Sequence, residues 1–266
     1  MADIVMDSLK NPHKPRPHGE IVLGEVARQF WQRAIKSATS TSQRHMIESF
    51  TAYLESVVQQ AYDRDTNVFL TVDSYFEKRR ENVGVRSSYV PLELNLSLPD
   101  HVFYHPTIQE LYGPLPHIEI IPIDFRSIDI ASYNKEQATG DDQYNILTIV
   151  MHQFDLDLHG AVEWAETYHA KVATKFLDGL KRIPSWGRKI DQQVQEYVEG
   201  LANWPRSNVC WNFEGGRYFG SKGQELQRTR EVVLLPKAVP VHNDPSLRKG
   251  NVVVPFVDKL SMQVVG

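Results

Sequence analysis

Cysteine is almost missing from this chain. Cys210 is the single one in 266 residues, which excludes an intrachain disulfide framework and any cysteine-rich zinc site. A basic surplus is missing too: Lys plus Arg is 29 against 33 for Asp plus Glu, so the formal charge is −4. Proteins built on a nucleic-acid backbone need a clustered positive excess, so nucleic acid is not an expected partner. No apolar run approaches the roughly 18–20 residues of a membrane span. The opening Met1-Ala2-Asp3-Ile4-Val5-Met6-Asp7 carries an early acid and no long apolar stretch, so no secretory signal is read there. No solenoid period and no low-complexity tract occur. His152, His159 and His169 fall into no zinc-ligand spacing. Asp63 with Asp65, and Asp155 with Asp157, stand at i and i+2, which diverge on a helix and make no metal cluster. What is left is a globular protein expected to be cytoplasmic, with 41% hydrophobic and 10% aromatic residues to build a core.

The apolar residues recur mostly at helical period. Leu23, Val26, Ala27, Phe30, Trp31 and Ala34 mark an amphipathic helix over 20–38, after a proline-interrupted stretch at 11–17. Ser40 or Thr41 is placed to cap a long helix to about Asp63. A further helix over 68–82 ends near Gly84, a left-handed terminator. Short helical turns near 106–112 lead to stronger patterns over 160–183, 190–204 and 211–230. These periods predict an all-α protein with a single domain over 1–237. The segment 238–266, with prolines at 240, 245 and 255 and Val252-Val253-Val254, reads as an atypical strand-like or disordered tail.

One pair of residues carries chemistry by its spacing. Ser132 and Glu136 stand four apart, so on a helix both face one side, one turn from each other. A hydroxyl and a carboxylate so placed are two hard oxygen ligands suited to Mg²⁺, which completes its shell with water and substrate phosphate. Lys135 adjoins them and can neutralise phosphate charge. Taken alone the spacing is common on solvated helices. Arg79-Arg80 beside Glu77 and Glu81 would by itself be an ion-paired surface, and Arg217-Tyr218 alone would carry no meaning.

Their order along the chain gives them weight. Ser132-Tyr133-Asn134-Lys135-Glu136 and the following Asn145-Ile146-Leu147-Thr148-Ile149-Val150-Met151 resemble the second metal-binding motif and next helix of fungal class I terpene cyclases. Arg79-Arg80-Glu81-Asn82-Val83-Gly84 is similar to that family's diphosphate-sensing helix break. Trp211-Asn212-Phe213-Glu214 with Arg217-Tyr218-Phe219-Gly220 is similar to its closing arginine–tyrosine pair, and Leu234-Leu235-Pro236 to its usual ending. The resemblance spans about 1–237 and is nearest to basidiomycete sesquiterpene synthases, including the protoilludene synthase branch. It implies a class I helical bundle around an apolar pocket, in which Mg²⁺ helps to ionise farnesyl diphosphate and a humulyl-type cascade can follow. By the same resemblance Ser132 and Glu136 hold metal, Arg80 senses diphosphate and Gly84 is the effector position, where a helix break aims a carbonyl into the pocket. Lys135, Arg217 and Tyr218 act on the diphosphate, and Trp211 and Phe213 line the pocket.

Two departures from the family pattern accompany the resemblance. The aspartate-rich run of an earlier helix has no counterpart here, so the chain reads as beginning inside the fold without its first helices. At the first ligand position of the surviving motif, normally Asn, stands Ile128, whose hydrocarbon side chain cannot coordinate Mg²⁺. Asp129 is rotated about 100° away from it on a helix. The prolines at 114, 116 and 122 are expected to break what should be one apolar helix, so 113–128 reads as a local insertion or replacement. A second reading therefore stands beside the cyclase: a non-catalytic remnant that grips diphosphate or serves as a helical interaction protein. Prenyl transfer is a weaker third.

Overall fold

The computed structural model describes residues 1–66, 68–112 and 122–237, with the backbone alone described over 122–127. Among them every regular element is helical: α1 (Ala2–Lys10), α2 (Val22–Ala34), α3 (Ser40–Asp65), α4 (Val72–Asn82), α5 (Val85–Tyr89), α6 (Asp100–Phe103), α7 (Pro106–Tyr112), α8 (Pro122–Thr139), α9 (Ile146–Phe154), α10 (Leu158–Leu180), α11 (Arg188–Glu214) and α12 (Gly223–Thr229), with three short 3₁₀ turns. The expected all-α class is what forms. The tail over 238–266 and the segment over 113–121 lie outside the described residues.

Local polar chemistry sets the helix ends, and it moves several of the predicted boundaries. Thr39, not Ser40 or Thr41, caps α3 by accepting from the Ser42 amide. The helix over 68–82 starts only at Val72, because Thr71 and Ser74 form a reciprocal capping box. Asp157 caps α10 through the Gly160 amide, so the helix starts at Leu158, two residues before the predicted start. The predicted helix over 190–204 continues through Pro205 as α11 and ends near the glycines at 215 and 216, so the predicted helix over 211–230 is split: its start belongs to α11 and its end is the separate helix α12. Proline removes a single backbone donor, and side chains on both sides of it, Leu201 and Asn212, are buried and hold the axis. Pro122 likewise opens α8 rather than breaking it, since a helix's first position has no donor to lose.

Three apolar clusters hold the bundle. Met6, Leu9, Trp31, Met46 and Val90 join α1, α2 and α3. Val72, Tyr75, Ile146, Ile149, Val150, Ala161 and Ala165 join α4, α9 and α10. Val85, Val102, Phe103, Leu111, Tyr112, Tyr197 and Leu201 join α5, α6 and α7 to α11. Helix α8 packs on α9, α10 and α11, which places its polar stripe beside the second cluster. Beyond α12, residues 231–237 lie along α8. The Asn134 amide donates to the Val233 carbonyl at 3.0 Å and accepts from the Leu235 amide at 2.7 Å, and Gln137 donates to the Leu235 carbonyl at 2.9 Å.

Between α4 and α5 the chain turns at Gly84, whose φ of +70° is left-handed. An added Cβ would sit 3.2 Å from the Tyr53 ring. Gly84→Ala is expected to cost about 1–2 kcal/mol from the left-handed backbone alone. A lowered urea midpoint, followed by circular dichroism, checks it; an unchanged midpoint would show that α5 re-forms with another turn.

Candidate active site

The candidate site is built on the facing sides of α4, α8 and α9. Asp129 is 1% exposed and ties the three helices together. Its Oδ1 accepts from Arg79 Nη2 at 2.7 Å, and its Oδ2 accepts from the Tyr75 hydroxyl at 2.5 Å and the Ile146 amide at 2.8 Å. Arg79 also donates to Asn82 Oδ1 at 2.8 Å. Burial pushes the Tyr75 phenol far above its ordinary range, with the Asp129 charge adding to it, so the phenol stays a neutral donor. Burial works against the Arg79 charge, but Asp129 and Tyr75 overcome it and the guanidinium stays protonated. The rotation of Asp129 away from the expected ligand stripe is thus its function in the fold: it faces α4 and α9.

On that stripe, Ser132 is 4% exposed and Glu136 half-buried. The Asn145 amide donates to Glu136 Oε2 at 2.9 Å. Burial pushes the Glu136 carboxyl above the usual range, while the bonds from Asn145 and Ser132 pull it back down. Ser132 and Glu136 together offer two hard oxygens, a donor set that fits one Mg²⁺ completed by water and phosphate. Ile128, half-buried one turn earlier, adds no ligand. Among the described residues no group of three or more His, Cys, Asp and Glu side chains converges on a metal position.

The other predicted residues lie on other elements, apart from Lys135 on α8. Lys135 is exposed beside Glu136, and Arg80 is half-buried on α4 next to Arg79. The Gly84 carbonyl accepts from the Ser88 amide at 3.2 Å and the Ser88 hydroxyl at 3.1 Å, so its described bonds start α5. Arg217 and Tyr218 lie on the turn between α11 and α12, with the exposed Arg217 guanidinium 5.5 Å from the Tyr218 ring. Trp211 is 49% exposed and meets Tyr218 edge-on at 6.0 Å, and Phe213 stacks on Phe219 at 5.0 Å.

Sequence reasoning missed the Arg79–Asp129–Tyr75 cluster, whose partners are 50 and 54 residues apart. It also missed a second tie between α3, α4 and the turn before α9. There Asp63, 2% exposed, accepts from Lys78, Tyr144 and Gln59, and these bonds outweigh burial to hold its carboxyl below the usual range. A third is the buried His45–Glu93 pair at 2.6 Å, with His45 stacked on Phe103 at 3.8 Å. For Asp129, set between Ile128 and Ile130, the available signal was an acid among apolar neighbours, which calls for a buried partner; Asp63, among Gln59, Gln60, Arg64 and Asp65, carried no such signal.

Known proteins are similar to this chain in sequence and in fold. The family model described as terpene synthase family 2, C-terminal metal binding, matches residues 1–175. Sesquiterpene synthase 14 of Postia placenta is 59% identical over 258 residues, covering 97% of this chain and 71% of that relative. Delta(6)-protoilludene synthase 18 of the same fungus is 54% identical over 254 residues, covering 96% and 70%. In three dimensions, the crystal structure of a-eudesmol synthase superposes with a TM-score of 0.70 at 18% identity, over 81% of this chain and 70% of that one. That last likeness shows a shared helical fold. By the family model and the two fungal relatives, the chain belongs to terpene synthase family 2, a family of terpene synthases described by its C-terminal metal binding.

Proposed function

We propose that this terpene synthase is a sesquiterpene cyclase that takes farnesyl diphosphate and Mg²⁺ to a cyclic hydrocarbon. The observation that carries the reading is the 59% identity, across nearly the whole chain, with a sesquiterpene synthase. In the reaction, the bond between the farnesyl C1 and the diphosphate oxygen breaks heterolytically. The electron pair leaves with diphosphate, and the allylic cation closes rings and loses a proton. Bound Mg²⁺ supplies electrostatic stabilisation of the departing diphosphate. Ser132 and Glu136 would hold it, Arg80 and Lys135 would bind phosphate oxygens, and Arg217 with Tyr218 would close over them. Aromatic faces such as Trp211 and Phe213 would steady the cation and exclude water. A protoilludene product is supported by the 54% identity with a protoilludene synthase. We read residues 1–237 as the cyclase domain.

Incubation of the purified chain with farnesyl diphosphate and Mg²⁺, followed by gas chromatography of the extract, tests this. A sesquiterpene that disappears when Mg²⁺ is chelated is the expected result. Ile128 favours the second reading, a remnant that binds diphosphate without ionising it. Diphosphate binding by calorimetry without any hydrocarbon product would establish that reading instead.

A further inference from the structure

Asn145 immediately precedes α9 and bonds to both α8 and α9, and each of its side-chain polar atoms has a partner. It is 0% exposed. Nδ2 donates to the Asp129 carbonyl at 2.8 Å and to Glu136 Oε2 at 2.9 Å, and Oδ1 accepts from the Leu147 amide at 3.0 Å to cap α9. Two amide protons and one oxygen are spent on two helices of the candidate site, the protons on α8 and the oxygen on α9. Capping α9 needs only the oxygen, which Asp or Ser supplies as well. The two donated bonds require the amide nitrogen. One reaches the backbone of the residue that locks α8 to α4, and the other reaches the carboxylate proposed to hold metal.

We propose that Asn145 is a positioning residue that fixes the Glu136 carboxylate for metal binding; this rests on the reading of Ser132 and Glu136 as metal ligands. A carboxylate on three rotatable bonds loses conformational freedom when it coordinates. A buried donor 2.9 Å from one oxygen removes much of that freedom beforehand and leaves the other oxygen for the cation. Partners of this kind change metal affinity by about 10–100-fold when they are removed.

The test uses the full chain, inorganic diphosphate and Mn²⁺ as a paramagnetic probe, with free Mn²⁺ measured by electron paramagnetic resonance. Asn145→Asp and Asn145→Ser both retain a capping oxygen and lose the amide nitrogen that donates to Glu136. Both are expected to weaken Mn²⁺ binding by about 10-fold or more; Asn145→Asp is also expected to melt lower than the parent, because a second carboxylate then faces Glu136 in a buried site. Glu136→Gln, measured in parallel, identifies which statement fails. Should Glu136→Gln weaken Mn²⁺ binding while a folded Asn145→Ser binds within twofold of the parent, the positioning role is overturned and the ligand assignment survives. Should Glu136→Gln leave binding unchanged, the ligand assignment itself falls and takes the positioning role with it. If Asn145→Asp does not fold, Asn145→Ser decides alone, because serine caps helices as well as asparagine does.

Discussion

Arg79→Met is expected to lower the unfolding free energy by about 3–5 kcal/mol, the usual result of removing one partner from a buried ion pair. The effect is large because of what remains. Asp129 is 1% exposed, and its carboxylate would be left with the Tyr75 hydroxyl and the Ile146 amide but without its cation. A second substitution separates this from lost packing. In Arg79→Met/Asp129→Asn the side-chain oxygen can still accept from Tyr75 and Ile146, but no uncompensated charge is left. The double variant is therefore expected to be more stable than Arg79→Met alone. Urea unfolding followed by circular dichroism measures both. A single variant within about 1 kcal/mol of the parent, or a double variant less stable than the single, would mean that Asp129 does not depend on Arg79.

That cluster shows what a sequence can and cannot reveal here. The helices were legible because their apolar stripes are local, and so was the Ser132–Glu136 spacing, which one helical turn fixes. Boundaries were less so, because capping is decided by which of several neighbouring hydroxyls turns inward. Thr39 competes with Ser40 and Thr41, and Thr71 with Asn67 and Asp73. The sequence places a helix end near 204, next to Pro205, whose cost is local, whereas the packing that carries α11 through it is tertiary. Asp129 was assigned a direction from helix rotation alone, and correctly pointed away from the ligand stripe. What it faces could not be read, since Arg79 and Tyr75 lie on another helix. Asn145 was visible as the start of an apolar run resembling the family. Its bond to Glu136 depends on a turn over 140–145 that folds α9 back against α8. Contacts made by topology, not by period, carry the site.

The same asymmetry governs the second large effect. Glu136→Gln is expected to reduce hydrocarbon formation from farnesyl diphosphate by about 10²–10⁴-fold, the loss that follows when several kcal/mol of metal-borne stabilisation of a leaving group disappear. Stability should barely change, because glutamine keeps an oxygen for the Asn145 amide to donate to, and the buried charge that raises the Glu136 pKa is gone. Rate without stability is the signature sought: extracted product per minute falls while the melting curve stays in place. A residual rate within tenfold would remove Glu136 from the metal site. Ile128→Asn supplies the opposite perturbation on the same stripe. Ile128, Ser132 and Glu136 follow one another at four-residue steps, so an amide at 128 would add a third oxygen to the two proposed ligands. Position 128 is half-buried, so the polar group costs little in folding. The Mg²⁺ concentration giving half-maximal rate should therefore fall in Ile128→Asn and become unmeasurable in Glu136→Gln. If Ile128→Asn leaves that concentration where it was, the cation does not sit on this face of α8, and the departure at 128 has no bearing on catalysis.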